Sequence, residues 1–263
     1  MQIRSRQLIL AQLLLAIGLA CCAAGTAQAD PKARLVSNVN WSLSNPWFGG
    51  FSGAEVSADG AQITLITDKG SLLHGKMVRK NGAFTTIKVL AQTTLKYASG
   101  TPLQGKRTDA EGLAIGQNGQ AFVSFEHDHR VTRLDLKTGR TTKYVGAAEF
   151  EQFEPNGGLE ALAVHPDGTL YTLPEKSVGP RSAFPVYTLN SNEWRIAAHI
   201  PQRGPFLPVG ADFDDNGLLY LLERAATPLG FRTRIRRFDP SAAKWDEVTL
   251  LTSGPGRFDN LEA

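Results

Sequence analysis

The chain repeats a nine-residue phrase, and its clearest copy is Glu111-Gly-Leu-Ala-Ile-Gly-Gln-Asn-Gly119. Further copies are Ser52-Gly-Ala-Glu-Val-Ser-Ala-Asp-Gly60, Glu160-Ala-Leu-Ala-Val-His-Pro-Asp-Gly168 and Val209-Gly-Ala-Asp-Phe-Asp-Asp-Asn-Gly217, while Asp259-Asn-Leu-Glu-Ala263 resembles the start of a fifth. With Ser52, Glu111, Glu160, Val209 and Glu262 as anchors, successive copies lie 59, 49, 49 and 53 residues apart. Strand-forming repeats of about this length are typical of a propeller or a similar radial array.

The segments between the anchors predict β-strands. They contain short runs rich in Val, Ile, Thr and aromatic residues, broken by Asp-Gly and Asn-Gly turns. In the second repeat, four such runs are predicted at residues 112–115, 121–125, 130–136 and 141–145. We therefore predict an all-β propeller built of four-stranded antiparallel blades, with about five or six blades when complete and the last one missing here.

Residues 1–29 are predicted to be a secretory signal peptide rather than part of the fold. Arg4 and Arg6 precede an apolar run at 8–20, and Ala27-Gln-Ala29 provides a small-x-small cleavage site. The apolar run is shorter than the roughly 20 residues that a membrane-spanning helix requires. This predicts a periplasmic or secreted protein in which residues 30–263 form one domain. A lipoprotein anchored at Cys22 is the less favoured alternative, because Cys21 is larger than the residue usually found there.

The composition of the mature chain argues against several partner classes. The leader contains both cysteines and two of the 28 basic residues, which leaves 26 basic against 25 acidic residues and a net charge of +1. A nearly neutral chain has no global field to attract nucleic acid or anionic lipid. We expect neither a nucleic-acid partner nor a membrane span, and we expect a monomer without disulfides.

Acidic residues are predicted to gather on one face of the propeller. In a strand hairpin, the beginning of the first strand and the end of the second lie at the same end. First strands begin with Glu111, Glu160 and Glu262, and second strands end in Asp68-Lys69, Glu126-His127, Glu175-Lys176 and Glu223-Arg224. Arrangement around one axis would bring these residues to the mouth of the central channel, with Ser52, Glu55 and Asp212 close by.

Two interpretations of this face are open. In the functional one, the carboxylates bind a hard cation such as Ca²⁺, and neighbouring cationic side chains hold an anionic group. The predicted catalytic residues are Glu111, Glu160 and Glu126, the predicted metal ligands are Glu55, Asp68, Glu175, Asp212 and Glu223, and the predicted substrate-binding residues are Ser52, Lys69, Arg130, Lys176 and Arg224. In the structural one, each acid pairs with a base or backbone amide of a neighbouring blade and locks the ring.

Two shorter motifs suggest other chemistry, namely transition-metal binding and serine-hydrolase catalysis. His127-Asp-His129 could ligate a transition metal, but spacing supplies no third ligand, so an ordinary polar turn is favoured. Gly50-Phe-Ser-Gly-Ala54 approximates a serine-hydrolase nucleophile elbow. That elbow needs a helix after the serine, whereas a strand is predicted here, and the elbow is therefore rejected.

At these residues the chain resembles the exported phytase-like domain family, known for "esterase-like activity of phytase". The matching stretches include Gly49-Gly-Phe-Ser-Gly53, Asp109-Ala-Glu-Gly112, Val123-Ser-Phe-Glu126, Asn156-Gly-Gly-Leu-Glu-Ala161, Pro208-Val-Gly-Ala-Asp212, Leu222-Glu-Arg224 and Asp259-Asn-Leu-Glu262. The resemblance implies a β-propeller and hydrolysis of phosphate or other esters. The family continues past the last stretch, which implies that this sequence is truncated at its C-terminus.

Together these observations predict an exported propeller that hydrolyses a small anionic ester with the help of a metal ion. The alternative is a non-catalytic periplasmic propeller that binds a ligand or a protein on the same face.

Overall fold

The computed structural model describes residues 32–176, 183–190 and 193–263, so the predicted leader lies outside the described residues. Within those ranges the chain forms four sheets of four antiparallel strands, arranged as the blades of a β-propeller. Two short 3-10 helices, Gly105–Arg107 and Ala148–Gln152, interrupt the loops. In this part of the chain no helix has the length and apolar character needed to cross a membrane.

Each blade runs outward from the axis in sequence order. Blade 1 contains β1 (Phe51–Val56), β2 (Gln62–Thr67), β3 (Ser71–Lys80) and β4 (Ala83–Thr94). Blade 2 contains β5 (Ala110–Ile115), β6 (Ala121–Phe125), β7 (Arg130–Leu134) and β8 (Thr141–Val145). Blade 3 contains β9 (Leu159–Val164), β10 (Leu170–Pro174), β11 (Ala183–Asn190) and β12 (Glu193–Pro201). Blade 4 contains β13 (Leu207–Phe213), β14 (Leu219–Thr227), β15 (Gly230–Asp239) and β16 (Asp246–Thr252).

The all-β propeller prediction is confirmed, with four complete blades in the described ranges. Inner strands β1, β5, β9 and β13 lie side by side in that order. Three apolar cores fill the spaces between successive blades, as expected for sheets that pack face to face. Trp194 is buried in the second core and Trp245 packs against the third, so both rings help to seal neighbouring blades.

The glycine that ends each repeated phrase is needed for the turn of the inner hairpin. Gly60, Gly119, Gly168 and Gly217 have φ values of 65°, 77°, 90° and 78°. This left-handed backbone region is accessible to glycine at little cost and is unfavourable for residues with a Cβ atom. The phrase therefore recurs because the same tight turn recurs.

The anchor of each phrase is a β-bulge. In blade 1, Phe51 pairs with Thr67 and Gly53 with Ile66, so the residue between them has no partner of its own in the ladder. The same irregularity occurs in the other three blades. A bulge re-aims the side chain of the extra residue. The four residues so placed are Ser52, Glu111, Glu160 and Val209.

Glycine immediately after the bulge allows neighbouring inner strands to approach closely. A Cβ atom added to Gly112 would lie 2.6 Å from Ser124 Oγ and 2.7 Å from Leu162 Cβ. A Cβ on Gly53 would lie 2.8 Å from Leu113 Cβ. Real Cβ atoms do not approach other atoms so closely, and a larger residue there would push adjacent blades apart.

Gly112→Ala is therefore expected to destabilise the propeller by about 1–3 kcal/mol, because an extra methyl group overpacks the space between β5 and β9. Urea unfolding followed by tryptophan fluorescence measures this loss. Gly254→Ala is the matched control, since a Cβ there meets no atom within 4 Å. Equal free energies of unfolding for the two variants would contradict the packing argument.

Candidate functional site

Carboxyl groups from three blades and the C-terminal segment converge at the end of the channel where the bulges lie. We call this group the mouth cluster; its acids influence one another's pKa values, and Arg224 bonds to two of them. Its members are Asp68, Asp109, Glu111, Glu126, Glu160, Glu175, Arg224 and Glu262. The structure thus brings together most of the acids that the sequence predicted to share one face.

Glu111 lies near the centre of the mouth cluster and is 9% exposed. Burial raises the pKa of its carboxyl well above the ordinary value, and the nearby Glu160, Asp109 and Glu126 raise it further. A side-chain hydrogen bond joins it to Asp109. Such a carboxyl holds a proton near neutral pH, or releases it when positive charge is brought nearby.

Glu160 is in a similar environment on the next blade. Burial, followed by the negative charges of Glu175 and Glu126, raises the pKa of its carboxyl well above its usual range. Arg224 opposes this shift only in part. The Arg224 guanidinium binds Glu175, with Nη2 and Oε1 2.9 Å apart, and also binds Glu262.

Asp68 and Glu126 occupy the rim. Burial raises the pKa of Asp68, and its Oδ1 atom is buried without a hydrogen-bond partner among the described residues. Burial also raises the pKa of Glu126, whose Oε1 accepts a hydrogen bond from the Gly158 amide at 3.3 Å. Lys69, which follows Asp68 in the chain, is exposed.

Three residues predicted to bind substrate are engaged by the protein itself. Ser52 donates its hydroxyl to the Ala110 carbonyl and is 3% exposed. Arg130 is buried, lies 3.8 Å from the centre of the Phe125 ring, and donates to two backbone carbonyls at 3.0 Å. Lys176 Nζ contacts Glu154 Oε2 at 3.0 Å on the exposed surface.

Glu55 and Asp212 lie deeper in the channel, three residues beyond the bulges and so about 10 Å along their strands. Glu55 accepts a hydrogen bond from the Ile115 amide at 2.9 Å, which fixes it against the neighbouring inner strand. Burial and the Asp212 charge raise its pKa from 4.5 to about 8. Burial also raises the pKa of Asp212. These two acids form a separate pair.

Glu223 is not brought to the mouth. It pairs in register with Pro208, whereas the equivalent pairs in blades 2 and 3 are Phe125 with Ala110 and Pro174 with Leu159. Arg224 therefore takes the position held elsewhere by Asp68, Glu126 and Glu175. A shift of one residue turns a strand side chain to the opposite face.

On that opposite face Glu223 is fully buried between two arginines. Arg234 contacts it at 2.6 Å and 2.9 Å, and Arg236 at 2.8 Å and 2.5 Å. Arg236 continues to Glu247 at 3.1 Å. This network ties β14 to β15 and β16 within blade 4.

A cavity of about 700 Å³ opens between blades 4 and 1, next to the mouth. Ser52, Glu160 and Glu262 line it on the mouth side. Much of the remaining lining consists of aliphatic side chains, among them Leu222, Ile235, Leu251, Val56, Ile63 and Leu261.

A sequence model of the phytase-like family, described as "Esterase-like activity of phytase", matches residues 46–256. The chain belongs to this family. The match covers all four blades of the phytase-like protein and the acids of the mouth cluster except Glu262. A search of curated proteins finds no match.

Three solved structures similar to the phytase-like chain have low sequence identity to it. U3-55K has 10% identity and a TM-score of 0.43 over 76% of this chain, which spans 51% of that chain. Virginiamycin B lyase from Staphylococcus aureus has 13% identity and a TM-score of 0.43, covering 76% of this chain and 69% of that one. A protein from Lactobacillus plantarum has 15% identity and a TM-score of 0.41, and the similarity covers 77% of this chain and 54% of that one. The phytase-like chain thus spans about half the length of U3-55K.

The site residues predicted from the sequence of the phytase-like protein do not include Asp109 or His127, although the hairpin pattern places His127 at the mouth. Asp109 precedes its anchor by two residues, and the equivalent residues in blades 1 and 3 are Gly50 and Gly158, so the repeat gave no signal for it. Its presence in the quoted Asp109-Ala-Glu-Gly112 stretch was the available clue. Of the two histidines of the His-x-His motif, His127 joins the rim, with Nε2 3.2 Å from Asp109 Oδ2.

Glu223→Gln is expected to lower the free energy of unfolding by roughly 3 kcal/mol, because it leaves two buried guanidinium groups short of a counter-charge. Chemical denaturation quantifies the loss. The control is Glu193→Gln, which removes an exposed ion pair with Arg195 and should cost less than about 0.5 kcal/mol. Similar losses in both variants would mean that the buried network does not stabilise blade 4.

Glu55 gives the propeller a specific pH dependence. Its carboxyl is protonated in the folded protein up to about pH 8 but ionises near 4.5 when unfolded, so its contribution to stability is lost as pH rises between these values. Between pH 5 and pH 9 this loss is on the order of 3 kcal/mol. Glu55→Gln cannot ionise and should show a flatter stability profile in thermal unfolding. An unchanged slope would show that Glu55 ionises normally.

Proposed function

We propose that this phytase-like propeller is a metal-assisted hydrolase of small phosphate or other esters, and that the reaction takes place at the mouth cluster. The observation that carries the proposal is the convergence of Glu111 and Glu160 at successive bulges, where each carboxyl is buried and repelled by other acids. Acids in this arrangement are costly for stability and are typical of functional sites. The family description supports the reaction class.

The donor set fits a hard divalent cation, for which Ca²⁺ is the first candidate. Ca²⁺ and Mg²⁺ take oxygen ligands, and Glu111, Glu160 and Asp68 offer carboxylate oxygens. The buried Asp68 Oδ1 atom has no partner within the described ranges and would gain one. A bound cation would polarise the ester oxygen and lower the pKa of a coordinated water.

The chain's own groups then orient the substrate and handle protons. Arg224 stands among the acids and would attract the anionic oxygens of the ester, with exposed Lys69 as a second cation at the rim. While no ion is bound to it, the Glu126 carboxylate at the rim beside Asp109 would accept a proton from water. Aliphatic walls of the adjacent cavity would exclude water from one side of the site.

Location and assembly complete the proposal. The basic, apolar and small-residue segments of residues 1–29 support export to the periplasm or the medium, with cleavage after Ala29. The proposed substrate is a small anionic ester and the proposed active form is a monomer.

A non-catalytic ligand-binding or protein-binding propeller is the second candidate. It is favoured by the engagement of Arg130 and Lys176, which leaves fewer cationic groups to stabilise a transition state than the sequence suggested. Catalysis predicts activity that is lost on chelation, whereas simple binding predicts ligand retention without turnover.

Glu111→Gln should reduce kcat for 4-nitrophenyl phosphate or 4-nitrophenyl acetate at least about 100-fold, because it removes a carboxylate from the proposed cation site. The assay uses the purified full chain with CaCl₂ and then with excess chelator. The exposed Glu193→Gln variant serves as the matched control and should keep wild-type activity. Absence of metal-dependent turnover of any phosphomonoester or simple ester would refute the proposal.

A further inference from the structure

We propose that Asp109, Glu126 and His127 form a second metal position on the blade 2 side of the mouth, and that it takes a first-row transition ion such as Mn²⁺ or Zn²⁺. The inference rests on the proposed function for the placing of substrate at the mouth. Metal binding at this position can nevertheless be measured without any turnover.

The three side chains are already close together. One ligand atom from each lies within 4.8 Å of the others, and His127 Nε2 is 3.2 Å from Asp109 Oδ2. Nitrogen and oxygen donors bind such ions at about 2.1 Å, so two donors on one ion are at most about 4.2 Å apart. A small side-chain rotation therefore converts the present arrangement into a ligand set.

Blade 2 fixes all three residues through its backbone. Asp109 immediately precedes β5, and its carbonyl accepts the Glu126 amide at 2.9 Å, which joins the start of the first strand to the end of the second. Glu126 is held by the Gly158 amide of blade 3. The ligand set therefore lies just before β5 and in the four-residue turn between β6 and β7.

His127 carries two features that packing alone does not explain. Its backbone has φ of 57°, a left-handed conformation that is uncommon for residues other than glycine, although histidine adopts it more often than most. Its Nδ1 atom is buried and, within the residues that the structure covers, has no hydrogen-bond partner. Strained residues with unsatisfied polar atoms cluster at functional sites.

The imidazole distinguishes this position from the carboxylate site around Glu111 and Glu160. Ca²⁺ and Mg²⁺ prefer oxygen ligands, whereas imidazole suits transition ions such as Zn²⁺. A mixed set of one nitrogen and two carboxylate donors thus favours Zn²⁺ over Ca²⁺, and Mn²⁺, which also accepts oxygen ligands, serves as a paramagnetic probe of this position.

His129 does not belong to the set, although the His-x-His spacing suggested that it might. Its Nε2 lies 3.2 Å from the Glu154 carbonyl, and its ring packs edge-on against Phe153 at 5.6 Å between centroids.

The test is pulsed electron paramagnetic resonance of the full chain loaded with Mn²⁺, because electron spin echo modulation detects a directly bound ¹⁴N nucleus. Wild-type protein should show nitrogen modulation. His127→Asn should abolish it and weaken Mn²⁺ binding at least tenfold. Asparagine tolerates the left-handed backbone, so this variant removes the imidazole with little added strain. The exposed His199→Asn variant is the control and should retain both signals.

Absence of modulation in wild type, or its persistence in His127→Asn, would overturn the inference, as would its loss in His129→Asn with retention in His127→Asn. The outcome is separable from that of the hydrolase proposal. Nitrogen modulation without ester turnover would support the metal position and count against the hydrolase. Calcium-dependent ester turnover without nitrogen modulation would support the hydrolase and count against the metal position.

Discussion

Close approach of the inner strands is the constraint on which the rest of the propeller depends. Gly53 and Gly112 have no side chain to hold neighbouring blades apart, and Gly210 lies similarly close to the Glu262 carbonyl, 3.0 Å from the position of an added Cβ. The apolar cores between successive blades can form only when the inner strands are this near. The same proximity forces the acids at the ends of these strands into one small volume. Architecture and electrostatics are therefore consequences of one set of small residues.

The buried acids of the chain have two different kinds of surroundings. In blade 4, Glu223 is buried with two arginines that match its charge, and the result is a structural tie. At the mouth, Glu111 and Glu160 face other carboxyl groups, with Arg224 as a partial counter-charge. Burial without full compensation keeps their pKa values high and leaves the site ready to exchange protons for a cation. The contrast between the two environments, more than the number of acids, supports the mouth as the proposed functional end.

Much of the fold could be predicted from the sequence because the turn glycines and strand runs recur with the anchors. Strands β5, β6 and β8 end where the pattern placed them, while the predicted strand 130–136 ends at Leu134, since Asp135 caps a turn by accepting the Lys137 and Thr138 amides. The site could be predicted less completely from the sequence. Counting from the turn glycine predicts the exchange of Glu223 and Arg224, because Glu126, Glu175 and Arg224 each follow the glycine of their blade by seven residues. Position along the chain does not show that Arg130 packs against Phe125, because that contact depends on side-chain conformation.

The bulges at the anchors carry a consequence for how such a protein can change over evolutionary time. Serine, two glutamates and valine occupy the same backbone position in four blades that otherwise fold alike. The residue after the bulge is glycine in blades 1, 2 and 4 and Ala161 in blade 3, so the same irregularity of the ladder is compatible with different side chains at the anchor. A single codon change at an anchor can therefore add or remove a functional group at the mouth while the scaffold persists. The propeller thus has four equivalent side-chain positions around one axis, and the specificity of the mouth can change by one substitution at a time.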